Sequence, residues 1–369
     1  MARIFSIVGT RPEAIKMAPV IKKLNEQGRH SIKVISTGQH RELLKQTLAF
    51  FGIVPDLELD IMQPNQSLAS LSANLLLSLD QIFSREPADL VIAQGDTTSV
   101  MVASLLSFYH KIPFAHVEAG LRTGDLYAPF PEELNRMVTG RLASLHFAPT
   151  PRAKQNLLKE GINPSTIHVT GNTVIDALLW VAAEVRPPKL KIPKAGKIIL
   201  VTCHRRENFG APLENIFSAL KKILDLHPDF HIVYPVHPNP NVRQKAFDNL
   251  GQHSRAHLID PLSYQDLVSV MKSSEFVITD SGGIQEEAPS LKKPVLVLRE
   301  TTERPESIDA GVAELVGTDA EKIFNTADRL IHDPIYFTKM ASGANPYGDG
   351  YAADRIVNII DTFLDGGMS

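Results

Sequence analysis

Short runs rich in Val and Ile recur along the chain, separated by longer stretches whose apolar residues return every three or four positions. ARIFSIVG, SIKVIST, DLVIAQGD, IPFAHVEAG and LHFAPT occupy the first part. IHVTGNT, KIILVTCHR, HIVYPVH, AHLID, FVITDSGG, PVLVLRE and ELVG occupy the second. Between them, stretches such as APVIKKLNEQG, SVMVASLLSFYH and IFSALKKILDLH have helical spacing. Continuous apolar strands are buried on both faces, and strand–helix alternation builds βαβ units, so the pattern predicts parallel sheets covered on both sides. So many strands exceed one comfortable sheet. The expected class is therefore α/β, with two Rossmann-like domains facing across a cleft. Residues 1–170, completed by the helical 351–369, form the first, and residues 171–350 the second. VRPPKLKIPKAGK reads as an exposed, lightly structured connection.

Polar residues gather just after the strands: Gly9-Thr10-Arg11, Gly95-Asp96, Glu118, His204-Arg205-Arg206, His237, Asp280-Ser281-Gly282-Gly283 and Arg299 to Arg304. In open α/β sheets ligands bind outside the carboxyl ends of the strands. Composition narrows the ligand. Of 369 residues, 38 are basic and 41 acidic, giving a net charge of -3 without a basic block, which argues against nucleic acid and anionic membranes as partners. The single cysteine, Cys203, permits no intrachain disulfide and reads as strand-end packing rather than as a nucleophile. The N-terminal apolar run is too short for a signal-peptide core, and no stretch is long enough to span a bilayer. The expectation is a soluble, cytoplasmic protein.

Arginines at strand ends beside a Gly-rich turn suggest a small anionic ligand. In ITDSGGIQEEAP, Ser281, Gly282 and Gly283 let backbone N–H groups approach a phosphate, although the same residues also suit a plain strand-to-helix turn. Glu287 is placed to accept ribose hydroxyls or to be solvated. Arg11 stands where a diphosphate needs a charge-assisted partner, while Pro12 and Glu13 suit a helix start; Arg304 and Arg299 add cations at another strand end. Asp96 also reads as an N-cap, and Glu132 and Glu133 as first-turn acids favoured by the helix dipole. Glu118 is harder to explain that way: it follows the buried-looking FAHV with no strong helix signal. Carboxyls that are close together and desolvated have raised pKa values and can act as general acid or base. The histidines form no HxxxH or HExxH pattern, so no metal is expected.

Taken in order, GTRPEAIK, GDTTS, HVEAGLRTGD, PFPEELNR, TGNTVIDAL, HRREN, YPVHPN, TDSGGIQEEAP and TTERPE closely resemble the bacterial non-hydrolysing UDP-N-acetylglucosamine 2-epimerases. That family is similar to glycosyltransferase-B enzymes, with a last helix that returns to the first domain. The resemblance implies reversible epimerisation at C2 between UDP-N-acetylglucosamine and UDP-N-acetylmannosamine through a bound 2-acetamidoglucal, with no cofactor. It implies acid/base roles for Asp96, Glu118 and Glu132, with His204 near the diphosphate and anomeric carbon. Arg11 and Lys16 fall near phosphates or sugar; Ser281, Gly282, Gly283, Glu287 and Arg304 match UDP-binding positions; Leu262 and Leu267 match the uracil pocket. Gln39, His40, Arg205 and His237 match a second, activating substrate site bordered by Glu132. Two positions there depart from the family: Glu42 stands where glutamine is common, an unfavourable charge beside a diphosphate, and Asn65 where some members have arginine. A homodimer is implied by analogy. The competing readings are a hydrolysing epimerase, a UDP-sugar glycosyltransferase of similar fold, and a non-catalytic nucleotide-sugar binding protein.

Overall fold

The computed structural model describes residues 1–38, 41–63, 66–188, 192 and 196–366, which divide into two compact units. The first unit comprises Met1–Ala177 and Tyr347–Ser369, the second Leu178–Pro346. The divisions differ from the expected 170/171 and 350/351. They differ because the start of the helix Thr173–Glu184 is tied to the returning chain: Asn172 N donates to Tyr347 O at 2.6 Å, and Ala353 N to Asp176 Oδ1 at 2.8 Å.

The first unit is built on seven strands, β1 (Arg3–Val8), β2 (Ser31–Ser36), β3 (Leu57–Glu58), β4 (Leu90–Gln94), β5 (Phe114–Val117), β6 (Leu145–Ala148) and β7 (Ile167–Val169). All pairings are parallel, in the order β3-β2-β1-β4-β5-β6-β7. β7, expected among the second-part strands, pairs with β6 instead. β3 was not anticipated, because two residues are too short to show any period. On one face Phe5, Ile7, Val91 and Ala93 meet Leu71, Leu75, Leu79 and Phe83, residues spaced every four positions on the helix Leu68–Arg85. The helix Arg11–Gln27 buries Ala14, Met17, Ile21 and Leu24, and the C-terminal helix Ala352–Asp365 packs against it.

The second unit repeats the plan with β8 (Lys197–Thr202), β9 (Phe230–Pro235), β10 (Ala256–Ile259), β11 (Ser274–Thr279), β12 (Val295–Val297) and β13 (Ala313–Leu315). Their parallel order is β10-β9-β8-β11-β12-β13. In each sheet the connections reverse direction between two neighbours, β1 and β4 in the first, β8 and β11 in the second. Loops leaving the carboxyl ends of such a pair diverge and open the crevice where doubly wound sheets take ligands. Among the described residues, no helix is long and apolar enough to cross a membrane.

Candidate active site

In the first unit the chemistry converges on Glu118, one residue past β5. Its φ of +64° lies in the left-handed region, which costs a non-glycine residue about 1 kcal/mol or more and persists only where the surroundings impose it. Here they do. Lys16 Nζ reaches Glu118 Oε1 at 2.5 Å, Asn172 Nδ2 donates to the same oxygen at 2.8 Å, and Gln94 Nε2 donates to Oε2. The side chain is only 7% exposed. Donors from a helix, a strand and a loop aim at one carboxylate, so the groups around it fix it in place as a hydrogen-bond acceptor.

Asp96 leaves β4 through Gly95, whose φ of +91° makes the turn that glycine permits. The N-cap of the following helix Thr98–Tyr109 is Thr97, so Asp96 does not serve there as the cap. Its carboxylate instead takes Arg136 Nε at 2.9 Å. Burial raises the Asp96 pKa, Arg136 opposes the rise, and the charge on Glu118 adds to it. Beneath the turn, His116 Nε2 bonds to Gly95 O at 2.8 Å; burial depresses its pKa to about 3, so the ring is neutral and donates to that carbonyl.

Two further acids organise the site. Glu13 forms a capping box with Thr10, and its Oε2 accepts from Gly9 N at 2.5 Å and Thr10 N at 3.2 Å. Burial raises its pKa to about 7, against the lowering effect of hydrogen bonds from Thr97, Gly9 and Thr10. Glu133 Oε1 accepts from Thr123 N at 3.0 Å and Gly124 N at 3.1 Å, while its Oε2 pairs with Arg136 Nη1 at 2.6 Å. The Gly- and Pro-containing loop after Glu118 is thereby tied to the helix Glu132–Leu142 and, through Arg136, to Asp96. Glu132 opens that helix with Oε2 buried and without a hydrogen-bond partner among the described residues.

In the second unit the exits of β8 and β11 meet at Asp280, which is fully buried. Its Oδ2 accepts from the backbone N of His204 and of Arg205, both at 2.8 Å, and from Asn208 Nδ2 at 3.1 Å. His204 Nδ1 lies 3.4 Å from Asp280 Oδ1, and its ring stacks on His237 with centroids 5.5 Å apart. Burial lowers the His204 pKa, and Asp280 opposes that shift. Ser281 caps the short helix Gly282–Glu287, with no side-chain bond of its own to the helix amides.

Lys16, Asp96 and Glu118 thus come together within the first unit. Arg11 stands at the β1 exit with no hydrogen bond or ion pair among the described residues. His204, Arg205 and His237 come together within the second unit. Leu262 and Leu267 line the edge of its core beside Ile259 and Ile308. Several residues have partners that the sequence does not disclose. Glu287 is not solvated: it accepts from Tyr264 Oη at 2.6 Å. Arg304 pairs with Glu286, and Arg299 is engaged by Glu207 and Glu303. Gln39, His40 and Asn65 lie outside the described residues, as does the side chain of Glu42. Reading the sequence gave no site role to Glu13, Gln94, Arg136 or Asn172, although Glu13, Arg136 and Asn172 lie in the segments GTRPEAIK, PFPEELNR and TGNTVIDAL. Cys203 is buried, with burial holding its thiol well above the ordinary pKa, as befits a packing residue.

Two doubly wound parallel sheets with this polar clustering at the strand ends define an α/β enzyme of the glycosyltransferase-B type. The sequence model of the UDP-N-acetylglucosamine 2-epimerase family matches residues 22–361. The UDP-N-acetylglucosamine 2-epimerase of Bacillus subtilis is 50% identical over 356 residues, covering 96% of this chain and 94% of its own. That of Escherichia coli K12 is 50% identical over 368 residues, covering 97% and 98%. The crystal structure of the Neisseria meningitidis UDP-GlcNAc 2-epimerase bound to UDP-GlcNAc superposes with a TM-score of 0.88 at 46% identity, covering 98% of this chain and 100% of its own. The chain belongs to the UDP-N-acetylglucosamine 2-epimerase family and is an isomerase.

Proposed function

We propose that the protein interconverts UDP-N-acetylglucosamine and UDP-N-acetylmannosamine by eliminating and re-adding UDP, as a cytoplasmic homodimer. The observation that carries this reading is the contrast between two neighbouring carboxyls. Glu118 is held as an acceptor by Lys16, Gln94 and Asn172, whereas burial pushes Asp96 toward its protonated form. A buried carboxyl with a raised pKa beside a second carboxylate fixed by its donors provides two groups for proton removal and proton return.

In the forward direction an enzyme carboxylate takes the C2 proton, the C–H electrons form the C1=C2 bond, and UDP leaves with the C1–O electrons. The reverse returns UDP to C1 and a proton to the opposite face of C2. Asp96, Glu118 and Glu132 supply the proton-transfer set, and Lys16 fixes the orientation of Glu118. Arg11 offers its charge to the sugar diphosphate. On the second unit, His204 serves the departing diphosphate, while Ser281, Gly282, Gly283, Glu287 and Arg304 hold UDP, with Leu262 and Leu267 beside the uracil. Exposed Leu77, Phe108 and Tyr109, on two helices that pack on one another, offer apolar surface for a second copy.

The test is turnover of UDP-N-acetylglucosamine in deuterated water without acceptor. Deuterium at C2 of both epimers is expected. Accumulating free UDP would favour the hydrolysing reaction, and saturable binding without product would reduce the protein to a sensor. Asp96→Asn and Glu118→Gln should each lower kcat by about 10²–10⁴-fold while UDP binding, measured calorimetrically, largely survives.

A further inference from the structure

A second group of ligating side chains lies in the second unit. His227 is the C-cap of the helix Ala211–Leu226, and Asp328 and His332 stand one turn apart at the end of the helix Ala320–His332. Spacing of four residues puts the latter two on one helix face. His227 Nε2 lies 3.1 Å from Asp328 Oδ1, His332 Nδ1 lies 3.2 Å from the same oxygen, and one donor atom from each residue falls within 4.8 Å of the others.

The buried member of this group is the informative one. The His227 side chain is 8% exposed, and its Nε2 is shut off from solvent without a well-formed hydrogen bond, the nearest acceptor being Asp328 Oδ1 at 3.1 Å. A buried ring nitrogen without a partner calls for an explanation. The ring cannot easily turn away, since Phe324 stacks on it at a 20° interplanar angle and Phe230 meets it edge-on. Arg255 Nη1 fixes the backbone by donating to His227 O at 2.7 Å.

The geometry points to a divalent transition-metal site of the zinc class, bound by His227, Asp328 and His332. Two imidazole nitrogens and one carboxylate oxygen, with a further position open to water, suit zinc and disfavour the all-oxygen ions calcium and magnesium. The ion would clamp the end of one helix to a neighbour in the same core cluster, where Leu220, Ile223 and Phe324 already pack. It must displace one weak bond, His332 Nδ1 to the Asp328 carbonyl at 3.1 Å, and the His332 side chain, 65% exposed, is free to turn. A search for HxxxH patterns passes over this set because the pair one turn apart is an aspartate and a histidine, and the second histidine comes from the end of another helix.

The test uses the full chain, stripped with chelator and titrated with zinc chloride against a chromophoric zinc indicator, with thermal melting in parallel. One zinc per chain and a rise in Tm are expected. His332→Ala, at an exposed position, and Asp328→Asn, an isosteric change at a half-buried one, should each weaken binding by about tenfold or more and remove the Tm rise, leaving epimerisation unchanged. Absence of stoichiometric zinc binding overturns the assignment, as does binding that both variants retain. So does binding lost instead in His257→Ala, since the His231–His257 pair at 3.0 Å is the competing nitrogen cluster.

Discussion

Glu13 shows how far a single residue can depart from its local reading. Beside Pro12 it looks like a helix-starting acid, and it does complete a capping box. Yet it is 2% exposed, and its pKa rises from 4.5 to about 7. The native protein therefore keeps a proton that the unfolded chain releases near pH 4.5, so this group lowers stability as pH rises from 4.5 to 7. The rise from 4.5 to about 7, at about 1.4 kcal/mol per pH unit, sets the cost at about 3–4 kcal/mol. Glu13→Gln cannot ionise, so its stability relative to wild type should climb by up to that amount between pH 5 and pH 8.5 in urea unfolding. An offset that does not change with pH would refute the buried titration. His116 works with the opposite sign: its depressed pKa contributes stability that is present above about pH 6.5 and lost as pH falls toward 3.

Among the elements, the helix Glu132–Leu142 shows what a first-turn acid can do beyond meeting the helix dipole. Glu133, 1% exposed, satisfies two loop amides and pairs with Arg136, which in turn holds Asp96. Removing one member of a buried ionic network leaves the others unpaired. Glu133→Ala should cost about 3 kcal/mol in denaturant unfolding and lower kcat more than it raises KM. Glu133→Gln, which keeps an acceptor for Thr123 and Gly124, should recover part of the stability but not the Arg136 charge pair. A loss under about 1 kcal/mol for Glu133→Ala would show that the loop holds itself. Gly120 supports the same loop: its φ is +90°, and a Cβ there would come within 2.3 Å of Ala153 O.

At the scale of the whole molecule, the first unit is closed by chain that returns from the far end of the sequence. Ile356, Val357 and Ile360 are fully buried, and Arg29 reaches Asp361 at 2.9 Å and Asp365 at 2.6 Å. His30, on the same turn, adds a 3.0 Å contact to Asp361. A chain ending at Pro346 would expose the apolar face of Arg11–Gln27, the helix that carries Lys16. Aggregation or a Tm loss of about 10 °C or more is expected by calorimetry, against a few degrees for Asp361→Ala. A truncated chain that melts like the full one would mean the returning helix contributes nothing.

The alternation of apolar runs with helical stretches was enough to declare parallel α/β layers in two units, because burial on both faces leaves a continuous apolar signature that needs no partner to be recognised. The same holds for polar groups at strand ends, which covalent sequence alone places beyond each apolar run. Glu118 stood out for that reason. What surrounds it did not: Lys16 lies 102 positions away on a helix, Asn172 54 away in a loop and Gln94 24 away on a strand. Whether a carboxylate is a solvated cap or a buried acid depends on which donors and which dielectric the fold brings to it. Those are properties of three-dimensional neighbours, and only the assembled sheet decides them.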